Sequence, residues 1–437
     1  MAPPSDTTTT LIDSEHARVQ RTVLPSGLRV VTEHVPGAVS TLWAATTTFG
    51  SREERPRWRG AAHFLEHMLY AGTATLSSRD VVNGFDSIGP RANAETGPEG
   101  TCYWAHGAYP TVLRSADLIA ELLTHADLDQ ASLDRERTVI LNEIGRKRDN
   151  QEAFLTTQVL EILYRDHPLA HPQLGTAEQI EQMPREVLWQ AYQHAVQPRR
   201  LIVTATGQVD HAQVVDAARH QFADLGDRHG EAAPEVPRTS GRPVAQYGGQ
   251  RVLGRDIAQA HLMVGVGGVP QADARREAFD LLMVVLAGGV SSRLLTELRE
   301  DRGLVYSVLN RRASLSDTGF GYVYTNCRPA DFPEVIARVR ENLARLAEEG
   351  ITEQELARAH AIRATYTTLG RERADRRTDL LVGSEMTGQY QSYEERLARL
   401  QAVTVADVNQ LAETLMGPDC LRVETAQGPL PEDALDS

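Results

Sequence analysis

Between Gly60 and Tyr70 the apolar residues Ala61, Phe64, Leu65, Met68 and Leu69 recur at spacings of one, three and four, which predicts an amphipathic helix closed by Gly72. Upstream, Leu28-Arg-Val-Val-Thr alternates like a strand, Gly37 interrupts it, and Ser40 to Thr48 is a second β-rich run ended by Gly50. Together they predict a hairpin. Further helices are expected over Arg79 to Ile88, Thr111 to His125, Ser132 to Asn150 and, after a Gly175-Thr176 turn, Ala177 to His194. Leu201-Ile-Val-Thr-Ala-Thr-Gly207 reads as a strand.

The second half of the chain echoes the first. A β-rich run from Ala260 to Val266 leads into a helix over Ala278 to Ala287 that ends in Gly288-Gly289. Tyr103-Trp-Ala-His, then Pro110 and a helix, has a counterpart 219 positions on in Tyr322-Val-Tyr-Thr, then Pro329 and a helix from Phe332 to Glu349. Two divergent copies of one α/β unit are expected, an α+β fold. The boundaries read as a disordered arm over 1–20, a first domain over 21–228, a linker over 229–243, a second domain over 244–426 and a tail over 427–437. Gly230, Pro234, Pro237 and Gly241 mark the linker.

At 437 residues the chain exceeds what a single core organises, in keeping with two domains. Its net charge of −14, with no basic cluster, argues against nucleic acid as a partner. No segment approaches a membrane span, and residues 1–10 lack the pattern of a secretory signal, so a cytoplasmic protein is expected. Cys102, Cys327 and Cys420 are odd in number and widely spaced, against a disulfide framework or a thiolate zinc site. The glycines at 265, 267 and 268 lack the full dinucleotide fingerprint and read as a strand-end turn.

The chemistry lies on the helix from Gly60. His63-Phe-Leu-Glu66-His67 puts two imidazoles one turn apart on one face, able to converge on one ion, with Glu66 beside them. A hydrolytic zinc needs three protein ligands and an open position for water, and a nearby carboxylate to take the proton; Glu66 is placed for that role. The helix from Ser132 offers Glu136 and Glu143 for the third ligand, seven apart and hence on one face.

His-x-x-Glu-His, then Asn93-Ala94-Glu95-Thr96, then Glu143 at 76 positions after His67, resembles the pitrilysin/insulinase family of zinc peptidases, the inverzincins. His167-Pro168, Leu174-Gly175-Thr176 and the strand ending at Gly207 extend the similarity, which spans roughly 22–426. The resemblance implies two homologous domains like those of mitochondrial processing peptidase, each a mainly antiparallel sheet covered by helices. It implies one Zn2+ per chain held by His63, His67 and Glu143, with Glu66 as general base and Glu136 as a supporting carboxylate. Asn93, Ala94, Glu95 and Thr96 would be the edge strand that binds extended peptides. Arg299 and Tyr306 have the spacing of the family's pair that holds the scissile carbonyl and its oxyanion. Glu95 stands where relatives commonly carry an aromatic residue, which would favour basic or polar side chains beside the scissile bond.

The activity expected is a zinc-dependent endopeptidase cutting short or unfolded peptides between two subunits, as a homodimer because one chain carries both half-sites. Two other readings stay open. One is a precursor-peptide maturation protease working as a heterodimer with a related subunit; the other is a non-catalytic structural relative.

Overall fold

The computed structural model describes residues 6–225, 244–417 and 420–436, so the stretch 229–243 read as a linker lies outside the described residues. The first half runs β1 (Thr7–Asp13), β2 (Arg18–Val23), β3 (Arg29–His34), β4 (Thr41–Thr47), α1 (Ala61–Tyr70), α2 (Ser78–Ile88), β5 (Arg91–Thr96), β6 (Thr101–Gly107), α3 (Val112–His125), α4 (Gln130–Asp149), α5 (Gln151–Leu163), α6 (Ala177–Gln182), α7 (Arg185–Ala195), β7 (Leu201–Gly207) and α8 (His211–Gln221). The second runs β8 (Gly249–Gly254), β9 (Ala260–Gly268), α9 (Arg276–Ala287), α10 (Arg293–Leu295), β10 (Val305–Ser314), β11 (Gly319–Cys327), α11 (Phe332–Glu349), α12 (Glu353–Gly370), α13 (Ala374–Thr387), α14 (Tyr393–Ala402), α15 (Val405–Met416) and β12 (Arg422–Gly428).

Two sheets result, one ordered β1-β2-β3-β7-β4-β6-β5 and the other β10-β11-β9-β12-β8. Both are mainly antiparallel, as expected; β3 with β7 and β8 with β12 are parallel. β3 and β4 do not form the expected hairpin, because β7 lies between them. Every residue of β4 and of β7 is buried, and strands that are apolar on both faces belong in a sheet interior. The helix expected over 177–194 is divided into α6 and α7 at Met183-Pro184, where the proline ring disfavours helical backbone in the residue before it. The stretch read as a loose arm contains β1, whose β-branched threonines pair along β2 at the sheet edge. At the other end, Gln427 and Gly428 complete β12 and Leu435 is buried, so residues read as a tail pack on the second core.

Burial alternates along the strands and divides side chains between the faces of each sheet. In the first sheet Val30, Leu201 and Val203 join a core with α1, α3, α7 and α8, while their neighbours Val31 and Ile202 meet Leu381 and Met386 of α13 on the other face. Phe64 and Met68 fix α1 in the first core, and burial of each contributes about 1.5–3 kcal/mol. In the second sheet Leu262, Val264 and Val323 pack with α9, α11 and α15, while Met263, Tyr322 and Val423 meet Leu155, Val159 and Leu163 of α5.

The compact units therefore cross the two halves of the sequence. One holds the described residues up to Arg146, those between His171 and Leu225, and Gly370–Ser392; the other holds Lys147–Ala170 and the remainder. Each sheet has its second face covered by a helix from the opposite half. In the first unit that helix is clasped by charge: Glu385 of α13 accepts from Arg21 Nε and Nη2 at 2.8 Å each and from the Tyr390 hydroxyl at 2.5 Å, and Arg377 donates to Glu33 at 2.5 Å.

Candidate metal centre

α1 begins at Gly60, whose φ of 87° lies in the left-handed region. A side chain there would also collide, since a Cβ would stand 2.7 Å from Ile180 Cδ1 and 3.0 Å from the Leu174 carbonyl. One and two turns further on, His63 and His67 lie along one face, edge to face, with ring centroids 4.8 Å apart. α4 carries Glu136 and Glu143 to the same place. Glu143 Oε2 is 3.6 Å from His63 Nε2 and 3.6 Å from His67 Nε2.

One ligand atom from each of His63, His67 and Glu143 lies within 4.8 Å of the other two, the only such group among the described residues. Ligands at zinc's bond lengths of roughly 2.0–2.1 Å stand about 3.3 Å apart around a tetrahedral ion. The two carboxylate-to-imidazole separations of 3.6 Å are close to that, and all three atoms lie within 4.8 Å of one another, with two imidazoles and a carboxylate as the donor set. Glu136 Oε2 lies 3.1 Å from His67 Nδ1. A proton held there leaves the Nε2 lone pair of His67 facing Glu143 and orients the ring.

Glu66 projects from the same turn toward β5, and the Thr96 hydroxyl donates to its Oε2 at 2.5 Å. Burial pushes the Glu66 carboxyl above the usual range, and the Thr96 hydrogen bond opposes that shift. β5 is an edge strand, paired on one side with β6. Ala94 and Thr96 are buried, whereas Asn93 and Glu95 are exposed. Sequence reasoning placed Thr96 on a peptide-binding strand but missed that its hydroxyl holds Glu66. It also missed Gln173, whose amide donates to the Thr96 carbonyl at the end of that strand.

A third omission was Glu54. No periodicity marks this residue; the one local hint was a glycine at the start of α1, where no side chain can cap the helix. Its buried carboxylate takes that place, accepting from Gly60 N and Ala62 N at 2.8 Å each.

Arg299 and Tyr306 are in the second unit, where the structure brings them together: the guanidinium lies 5.6 Å above the phenol ring. Arg299 sits on a π-helical turn, Thr296–Asp301, and Tyr306 in an irregular step of β10 between Val305 and Val308. Both irregularities re-aim side chains and are common beside functional sites. Tyr306 is 83% exposed, an unusual setting for a large ring in a strand.

Residues 29–177 match the family model "Insulinase (Peptidase family M16)", and residues 182–362 match "Peptidase M16 inactive domain". The chain belongs to the M16 peptidase family. An uncharacterized zinc protease of Streptomyces coelicolor is 35% identical to this M16 protein over 414 residues, which cover 94% of the chain and 90% of that relative. Among solved structures, a protease from Helicobacter pylori superposes with a TM-score of 0.85 at 20% identity, covering 95% of this chain and 100% of that one. A chain of complex III2 from Candida albicans superposes with a TM-score of 0.79 at 19% identity, covering 94% and 97%. Those two likenesses concern the M16 fold alone. No helix among the described residues is long and apolar enough to cross a membrane.

Proposed function

We propose that this M16 protein is a zinc-dependent endopeptidase that hydrolyses short or unfolded peptides in the cytoplasm. The observation that carries the reading is the convergence of His63, His67 and Glu143 from two helices on one point. These three would hold one Zn2+ per chain. When bound, zinc lowers the pKa of a water toward neutrality and polarises the carbonyl under attack.

The remaining work falls to the chain. Glu66 removes the proton from the attacking water as the C–O bond forms, and returns it to the amine nitrogen as the C–N bond of the tetrahedral adduct then breaks. Glu136 keeps the His67 ring in place. The free edge of β5, Asn93 to Thr96, pairs with the peptide main chain, and the exposed Glu95 favours basic or polar side chains on the substrate. Arg299 and Tyr306 hold the scissile carbonyl and donate to the oxyanion. Because one chain carries both sets of residues, a homodimer is favoured, with Arg299 and Tyr306 of one chain serving the metal of the other.

The test is elemental analysis together with cleavage of an unstructured reporter peptide. Glu66→Gln should retain zinc and lose about 10²–10⁴-fold in rate, the usual weight of general acid–base catalysis. Parental hydrolysis by that variant would remove Glu66 from its role, and a parent without zinc would leave the family's fold without its chemistry.

A further inference from the structure

We infer that Glu54 is a positioning residue of the metal centre, fixing where α1, and with it His63 and His67, begins relative to β5; the inference rests on the zinc-peptidase reading. The first N–H groups of any helix lack partners within the helix and are normally served by a side chain at its start. Here the start is Gly60, whose left-handed backbone and crowded surroundings exclude a side chain. Glu54 serves instead from six residues upstream, with one oxygen on Gly60 N and the other on Ala62 N, the residue before His63.

The segment that carries Glu54 is itself tied to the turn after β5. Ser51 N donates to the Gly97 carbonyl at 3.2 Å, Arg52 N to the Pro98 carbonyl at 3.0 Å, and Arg52 Nη1 pairs with Glu99 at 2.9 Å. Gly50 is pressed so close to that turn that a Cβ would stand 2.4 Å from Gly100 N. Hydrogen bonds thus tie the β5–β6 turn to Ser51 and Arg52, and Glu54, two residues on, to the start of the metal helix. A second link, Thr96 to Glu66, joins the strand before that turn to the same helix.

A capping role alone would not need such a residue. Glu54 is only 7% exposed, and burial pushes its carboxyl up to about 8 against the N–H donors of Ala62 and Gly60 and the nearby Arg59. With both oxygens committed to the backbone N–H groups of Gly60 and Ala62, the side chain fixes the helix in rotation and in height. An amide in its place offers one oxygen and turns an N–H₂ group toward a backbone donor. The ligand pair is then free to shift against Glu143.

The experiment titrates Zn2+ against a chromophoric chelator in the full-length protein, comparing the parent with Glu54→Gln and with Glu385→Gln. The latter alters another buried carboxylate of the same unit, bound to Arg21 and remote in its contacts from α1. Glu54→Gln should bind zinc about 10–100-fold more weakly, as residues that orient metal ligands do when changed, while Glu385→Gln should lower the melting temperature and keep the parental affinity. Parental affinity in Glu54→Gln, or an equal loss in both variants, overturns the inference while leaving the zinc reading intact. Failure of the parent itself to bind zinc overturns both. Should Glu54→Gln not fold, Glu54→Asp, which keeps the two carboxyl oxygens and shortens the reach by one methylene, is judged by the same comparison.

Discussion

Thr96→Val isolates the hydroxyl that holds Glu66. The two side chains have nearly the same shape, and Thr96 is buried, so the substitution changes hydrogen bonding more than packing. What is lost is a 2.5 Å bond to a carboxylate that burial already disfavours as an anion. Hydrogen bonds to charged groups are worth about 1.5–3 kcal/mol, which corresponds to about 10- to 150-fold in rate if the full interaction serves the transition state. The zinc content should stay at the parental level, because the Thr96 hydroxyl touches Glu66 rather than the three candidate ligands. The assay is kcat/KM on a quenched fluorescent peptide at saturating zinc, with Thr96→Ser, which restores the hydroxyl, recovering most of the loss. A Thr96→Val protein within twofold of the parent, or one in which serine gives no recovery, would refute the idea that this hydroxyl sets the base.

Two further outcomes follow from named contacts. Glu136→Gln leaves His67 without its anionic partner and should weaken zinc binding about 10–100-fold, read by chelator competition; unchanged affinity would mean the 3.1 Å contact does not orient the ring. In the second unit, burial would raise the Glu355 carboxyl, but the Arg293 fork and the Thr352 backbone N–H outweigh it and bring the pKa down to about 2 from 4.5. The ionised side chain therefore stabilises the fold above about pH 4.5, and that contribution is lost as pH falls toward 2. In urea denaturation the parent should exceed Glu355→Gln at pH 7, with the gap closing across that acid window; a constant gap would contradict the assignment.

Of the site, the parts that depend on helical geometry were readable from the sequence. His63 with His67, and Glu136 with Glu143, each lie on one face of one helix, so residue spacing alone sets their directions. Their meeting depends on how α1 and α4 pack, and the family resemblance supplied that step. Glu54 and Gln173 had no such signature, because each acts on backbone through space and any polar side chain of suitable length could do so. The fold divides similarly. Apolar periodicity located α1, α3 and β7, but strand order was invisible to it: the β3–β4 hairpin failed because a strand more than 150 positions later enters between them. α5 went unrecognised for a related reason, as its apolar face is matched to a sheet built from residues beyond 244.

That exchange of covering helices bears on how the polypeptide matures on the ribosome. The first sheet has all its strands by Gly207, yet the helix that shields Val31 and Ile202 is not synthesised until Thr387, so one face of the nascent sheet stays wet while some 180 more residues emerge. Conversely α5 leaves the exit tunnel long before the strands it will cover. A gene cut between the halves would yield two fragments, each carrying the other's missing lid, and neither able to finish its own interior without the complementary piece.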